Sequence, residues 1–177
     1  MSSRAGLEPK SLLTTQQLRG YSDDKMGGLI VVGSYVPKTT LQLKSLVEGS
    51  NIVPLELSVR EIIEASRASR EASSVSLGSL IKRTAAHIDE LLLSGKNVVL
   101  YTTREFLTGT TLTDAAAVSD TLTEIVRKVK SKPAFLVAKG GITSHDVASK
   151  SLGITTARVI GQIEPGVPVW KVQNISI

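Results

Sequence analysis

The stretch Phe135-Leu136-Val137-Ala138-Lys139-Gly140-Gly141-Ile142-Thr143-Ser144 constrains this chain more than any other. Its apolar run, preceded by Pro133, suits a buried strand and is too short for a helix. Two glycines follow at once. They let the backbone turn sharply and let a ligand approach with no Cβ in the way. Thr143-Ser144-His145-Asp146 then reads as a helix start, with Thr143 as the cap and Asp146 in the place of a capping-box acid. Strand, glycine turn and helix start together offer N–H groups and a positive dipole end to an anion. A nucleotide phosphate is the expected occupant. The same pattern also serves simply to join elements in α/β chains. Lys139-Gly140-Gly141 is neither a Walker loop nor a dinucleotide fingerprint, since both need further glycines at fixed offsets.

Similar units recur along the chain. Leu29-Ile30-Val31-Val32 reads as a strand buried on both faces, followed by Gly33-Ser34, then Pro37 at a helix start and an apolar stripe of Leu43, Leu46 and Val47. Ser34 sits at that turn, either beside a ligand or satisfying backbone groups locally. A second strand spans 52–57, and Ser58-Val59-Arg60-Glu61 forms a capping box after it. Leu77, Leu80, Ile81, Thr84, Ala85, Ile88, Leu91 and Leu92 mark one face of a longer helix that Gly95 ends. A third strand, 97–101, leads into a hydroxyl-rich loop in which Arg104 could pair with a phosphate. A helix is expected from about Thr113 to Lys130, and a fifth strand at 157–161 after the organising one. Glu164-Pro165-Gly166-Val167 reads as a turn, and Trp170 as a packing residue. Strand–helix alternation of this kind predicts an α/β fold: three layers, a mainly parallel sheet of about five strands, helices on both faces, Rossmann-like. Residues 1–26 lack periodicity beyond a short helical turn near Thr14 to Leu18 and read as a linker or tail from a preceding domain. Residues 27–177 form the domain proper.

With 177 residues the chain can bury one proper core. It has no cysteine, which excludes disulfides, thiolate-bound zinc and a cysteine nucleophile. That fits a reducing, cytoplasmic setting. His87 and His145 are the only histidines, too few for a His-rich metal site. Net charge is +5 with acid and base interspersed, and aromatics are 3%, which argues against nucleic acid as a partner. The basic cluster Arg127, Lys128, Lys130 and Lys132 falls at a helix end, where cations oppose the dipole. No run approaches the ~20 apolar residues that span a membrane.

Three stretches together resemble one family. They are Val31-Val32-Gly33-Ser34 with Thr39-Thr40 and Gln42; Ala138-Lys139-Gly140-Gly141-Ile142-Thr143-Ser144; and Gly161-Gln162-Ile163-Glu164-Pro165-Gly166-Val167-Pro168-Val169-Trp170. The chain is similar to the C-terminal, nucleotide-binding domain of the four-carbon acid sugar kinases, also called tetronate-type kinases. The resemblance implies ATP-dependent phosphorylation of a four-carbon sugar acid, with ATP and Mg2+ as the cofactors. It implies that Ser34, Gly140, Gly141, Ile142 and Thr143 touch the nucleotide. The sugar acid and the catalytic base would belong to an N-terminal domain supplied elsewhere in a longer chain, so catalytic residues here are unknown and the isolated chain is expected to be inactive. The family's last glycine-rich segment would follow Trp170, so a domain truncated at its C-terminus is expected. The alternative is a non-catalytic α/β interaction or regulatory module that keeps only the fold.

Overall fold

The structure, a computed structural model, describes residues 11–19, 25–33, 36–68, 77–104 and 109–172. After a short helix α1 (Thr15–Arg19) come β1 (Leu29–Val32), α2 (Pro37–Gly49), β2 (Val53–Leu57), α3 (Val59–Ala68), α4 (Leu77–Leu93), β3 (Val98–Thr102), α5 (Leu112–Lys128), β4 (Leu136–Lys139) and α6 (Gly141–Asp146). A single π-helical turn, Val147–Ser151, continues α6, and β5 (Arg158–Glu164) and β6 (Val167–Lys171) close the described chain. The first four strands form one parallel sheet in the order β2-β3-β1-β4. Leu29 lies level with both Val98 and Leu136, and Val53 with Val98.

Side chains alternate across a strand, so this register sorts the sheet into two faces. One carries Leu29, Val31, Val98, Leu100 and Leu57, packed with Ile62 and Ile63 of α3, Ile81, Ala85, Ile88 and Leu92 of α4, and Val118, Leu122, Ile125 and Val126 of α5. The other carries Val32 and Val99 under Leu43 of α2, with Ile30, Leu46, Val47, Ile52 and Tyr101 around them. β1 and β3 read as continuous apolar runs because both of their faces are covered. Each fully buried Val, Leu or Ile contributes about 1.5–3 kcal/mol relative to exposure. β4 differs. As an edge strand it has Val137 partly open on the α2 side.

The connections explain the two layers. β1 leads to β2 across the α2 face, and β2 to β3 and β3 to β4 run across the other face. Opposite directions of travel need opposite faces when crossovers are right-handed. The α/β, Rossmann-like expectation holds, with four parallel strands in place of five. The fifth strand pairs with β6 in a separate antiparallel hairpin. The reason lies in Pro165-Gly166, where Gly166 adopts φ 83° and returns the chain at once, so β5 finds its partner next door. Trp170, expected to pack, is 49% exposed on that hairpin. Ser11 to Leu13 lie alongside β5: Leu12 bridges Gln162, and the Leu13 N–H donates to Gln162 O at 2.7 Å.

No helix among the described residues is long and apolar enough to cross a membrane.

Candidate functional site

β1 sends its connection to one face of the sheet, while its neighbours β3 and β4 send theirs to the other. Open parallel sheets bind ligands at the carboxyl ends of strands beside such a switch point. Two turns flank it, one after β1 and one after β4.

At the β4 turn, Gly140 has φ 112° and ψ 141°, a backbone close to that reserved for glycine. The helix starts directly after it, at Gly141, with the cap position at Gly140 in place of the expected Thr143. Thr143 is therefore not a cap. It lies inside the first turn and is buried, and Gly140 serves as the N-cap residue with no side-chain cap bond. Nor does Asp146 close a capping box. Its carboxylate accepts from Ser119 Oγ at 2.9 Å and pairs with Lys150 at 3.3 Å, tying α6 to α5. Lys150 also reaches Asp120 at 3.2 Å, and Asp120 and then Asp146 hold its ammonium above the usual lysine range. The physical cause of the early start is the positive φ of Gly140, which turns the strand into the helix in one residue.

The turn is anchored by Ser144. Its N–H donates to Gly140 O at 2.8 Å and its hydroxyl to Ala138 O at 2.9 Å. Above it, no described atom outside its chain neighbours and its own helix lies within 4 Å of where a Cβ on Gly141 would stand, and Ile142 is 76% exposed. The N–H groups of Gly141, Ile142 and Thr143 belong to the first helical turn, which has no intrahelical acceptors.

The β1 turn begins at Gly33. Ser34 and Tyr35 lie outside the described residues. On the far side Val36 is the N-cap residue of α2, without a side-chain cap bond, and Pro37 opens the helix. The two turns touch: a Cβ on Gly33 would stand 2.5 Å from Thr143 Oγ1. Sequence reading placed both turns at the site but offered no signal for this contact, which depends on β1 and β4 being neighbours.

The helix starts on the neighbouring strands are closed. In α3, Ser58 Oγ accepts from the Glu61 N–H at 3.2 Å, and Thr103 Oγ1 accepts from the Val59 N–H at 3.1 Å. α5 has a full capping box between Thr111 and Asp114, and Arg67 clamps the Asp114 carboxylate at 2.7 and 3.2 Å. The guanidinium, the Thr111 N–H and the Thr111 hydroxyl hold that carboxyl far below the ordinary range. The box was legible as Thr111-x-x-Asp114 but was hidden among the hydroxyls of its loop. Arg104 follows β3, partly buried, its guanidinium carbon 6.0 Å from the Tyr101 ring centroid. Beside it Thr102 Oγ1 is buried with no hydrogen-bond partner among the described residues. A groove of about 390 Å³ between α4 and α5 is lined by Leu77, Ile81, Ala117, Asp120 and Glu124, and none of the residues around it comes from the glycine turns. Its acidic rim is unsuited to a phosphate.

Residues 29–177 match the family model described as nucleotide-binding C-terminal domain. The chain belongs to that family. That family is the nucleotide-binding domain of the four-carbon acid sugar kinases. No curated protein matches the chain. Within this nucleotide-binding domain, the turn after β4, with Gly33 at the end of β1 beside it, is the candidate nucleotide site.

Proposed function

We propose that this chain supplies the ATP-binding half of a kinase that phosphorylates a four-carbon sugar acid. Residues 27–177 act as the nucleotide domain, and residues 1–26 link it to a domain that holds the sugar acid and the catalytic base. Ser34 on one turn and Gly140, Gly141, Ile142 and Thr143 on the other form the cradle. Phosphoryl transfer demands positioning and charge stabilisation more than covalent chemistry from the protein. Backbone N–H groups at the start of α6 suit that task, and Gly141 leaves room above them for phosphate oxygens. Magnesium enters as part of the nucleotide complex, since Mg2+ is held largely by substrate phosphates with one or two carboxylates.

The observation that carries this reading is the meeting of Gly33 with Thr143 beside the switch strand, in a domain of a nucleotide-binding family. Calorimetric titration of the chain with magnesium-ATP tests it. Saturable binding is expected, without turnover of threonate or erythronate by the chain alone. Absence of ATP binding would leave the fold as an interaction module.

A further inference from the structure

Gly33 sits where β1 ends, and its backbone is not in the left-handed region, so it is there for room. A Cβ at this position would stand 2.5 Å from Thr143 Oγ1, 3.2 Å from Leu122 Cδ2 and 3.5 Å from Thr143 Cβ. Ordinary contact starts near 3.4 Å, so the threonine would have to withdraw by about 1 Å. Leu122 can yield, because only the end of a flexible side chain is close. Thr143 cannot yield in the same way. It is buried, and a β-branched side chain in a helix has few χ1 choices. Nor can the residue retreat alone, since Ser144 is tied to Ala138 O of β4. An added methyl at Gly33 therefore displaces the whole β4–α6 turn.

We propose that Gly33 is a positioning residue for the nucleotide site. Its missing side chain lets Thr143 seat against the end of β1, and this seat fixes the β4–α6 turn relative to that strand end. Gly33 acts through Thr143 and need not touch the ligand. The inference rests on the nucleotide reading proposed above, and it adds a requirement: the β4–α6 turn must be held in register with the end of β1.

The test is a double-mutant cycle in the full 177-residue chain. Magnesium-ATP is titrated into wild type, Gly33→Ala, Thr143→Ala and the double variant, and all four are melted. Gly33→Ala is expected to weaken binding by roughly ten- to a hundredfold, the scale of effect of a ~1 Å misplacement. Thr143→Ala removes the obstructing hydroxyl and methyl. The double variant should then bind within about twofold of Thr143→Ala alone, the non-additivity of residues in contact. Melting should follow the same rule, with Gly33→Ala lowering it only when Thr143 is present. If Gly33→Ala fails to fold, recovery of a folded chain in the double variant supports the coupling, and failure to recover overturns it. Wild-type affinity in Gly33→Ala, or multiplicative losses in the double variant, also overturn it. A wild-type chain that binds no ATP instead defeats the nucleotide reading, and this inference with it.

Discussion

At the carboxyl edge of the sheet, α3 and α5 begin under side-chain caps, whereas α2 and α6 begin without them. The contrast is sharpest between α5 and α6. Asp114 bonds the Thr111 N–H and hydroxyl, Thr111 accepts from the Asp114 N–H, and Arg67 neutralises the carboxylate, so the start of α5 already carries its own anion. The start of α6 has a glycine in the cap position and an open surface over Gly141. A helix N-terminus that holds its own carboxylate has little left to offer a phosphate. The uncapped pair, α2 and α6, follow β1 and β4, the strands on either side of one crevice. The closed starts lie over β2 and β3, away from the glycine turns.

Substitutions at the two N-cap residues should separate the two starts, with the largest effect at Gly140. Gly140→Val forces a β-branched residue to φ 112° and should cost on the order of 1–3 kcal/mol of stability, with ATP binding lost because the turn itself moves. Thr111→Ala removes one half of the α5 box and should cost ~1 kcal/mol, with ATP affinity unchanged. Thermal melting and ATP titration of both variants check this. Equal loss of ATP binding in Thr111→Ala would erase the distinction between the two starts.

Much of this architecture was legible. β1 and α2 fall where the apolar run and Pro37 put them, because continuous β-branched residues and a proline at a first turn have few other uses. The stripe of α4 is equally direct, since Ile81, Ala85, Ile88 and Leu92 all turn out buried. Two things were not legible, and both depend on what is near in space. A strand pattern at 158–164 does not say whether its partner is β6 or the main sheet, and only the tight turn at Gly166 decides it. Thr143-x-x-Asp146 has the spacing of a capping box, yet Asp146 finds Ser119 and Lys150 better placed, and Gly140 has already started the helix. The real box, Thr111 with Asp114, has the same spacing and differs in having Arg67 across from it. Local pattern gives the candidates, and the tertiary partner selects among them.

The closed start should also betray itself in acid. The Asp114 carboxyl is held below its ordinary value, first by the Arg67 hydrogen bond and then by Thr111. A depressed folded-state pKa contributes stability that is present above the unfolded value, about 3.9 for aspartate, and is lost as pH falls through the folded value. Wild type should therefore lose stability as pH falls below about 4, and Asp114→Asn should flatten that loss without abolishing it, because Arg127 similarly depresses Glu124. The open start of α6 has no carboxylate in its first turn and should contribute no such term. Melting temperature followed from neutral to acid pH measures this. An unchanged acid slope in Asp114→Asn would mean that the clamp on α5 does not act as described.

The smallest expected change in stability, and the sharpest test of the open start, is at Gly141. Paired glycines suggested that either a positive φ or close approach of a ligand was needed there. The structure divides these roles, since the positive φ belongs to Gly140 and, among the described residues, nothing outside its own helix and chain neighbours stands within 4 Å of a Cβ on Gly141. A Cβ at Gly141 thus meets no described atom beyond its chain neighbours and its own helix, and the position needs no positive φ. The effect of Gly141→Val on melting should stay within about 0.5 kcal/mol, as for other surface substitutions. Its side chain would nevertheless stand over the first-turn N–H groups, where the phosphate is proposed to lie. ATP affinity should fall by about tenfold or more, equivalent to ~1.4 kcal/mol. A stable Gly141→Val chain with wild-type affinity would place the nucleotide elsewhere on the carboxyl edge, and the missing caps on α2 and α6 would then be a property of the turns alone.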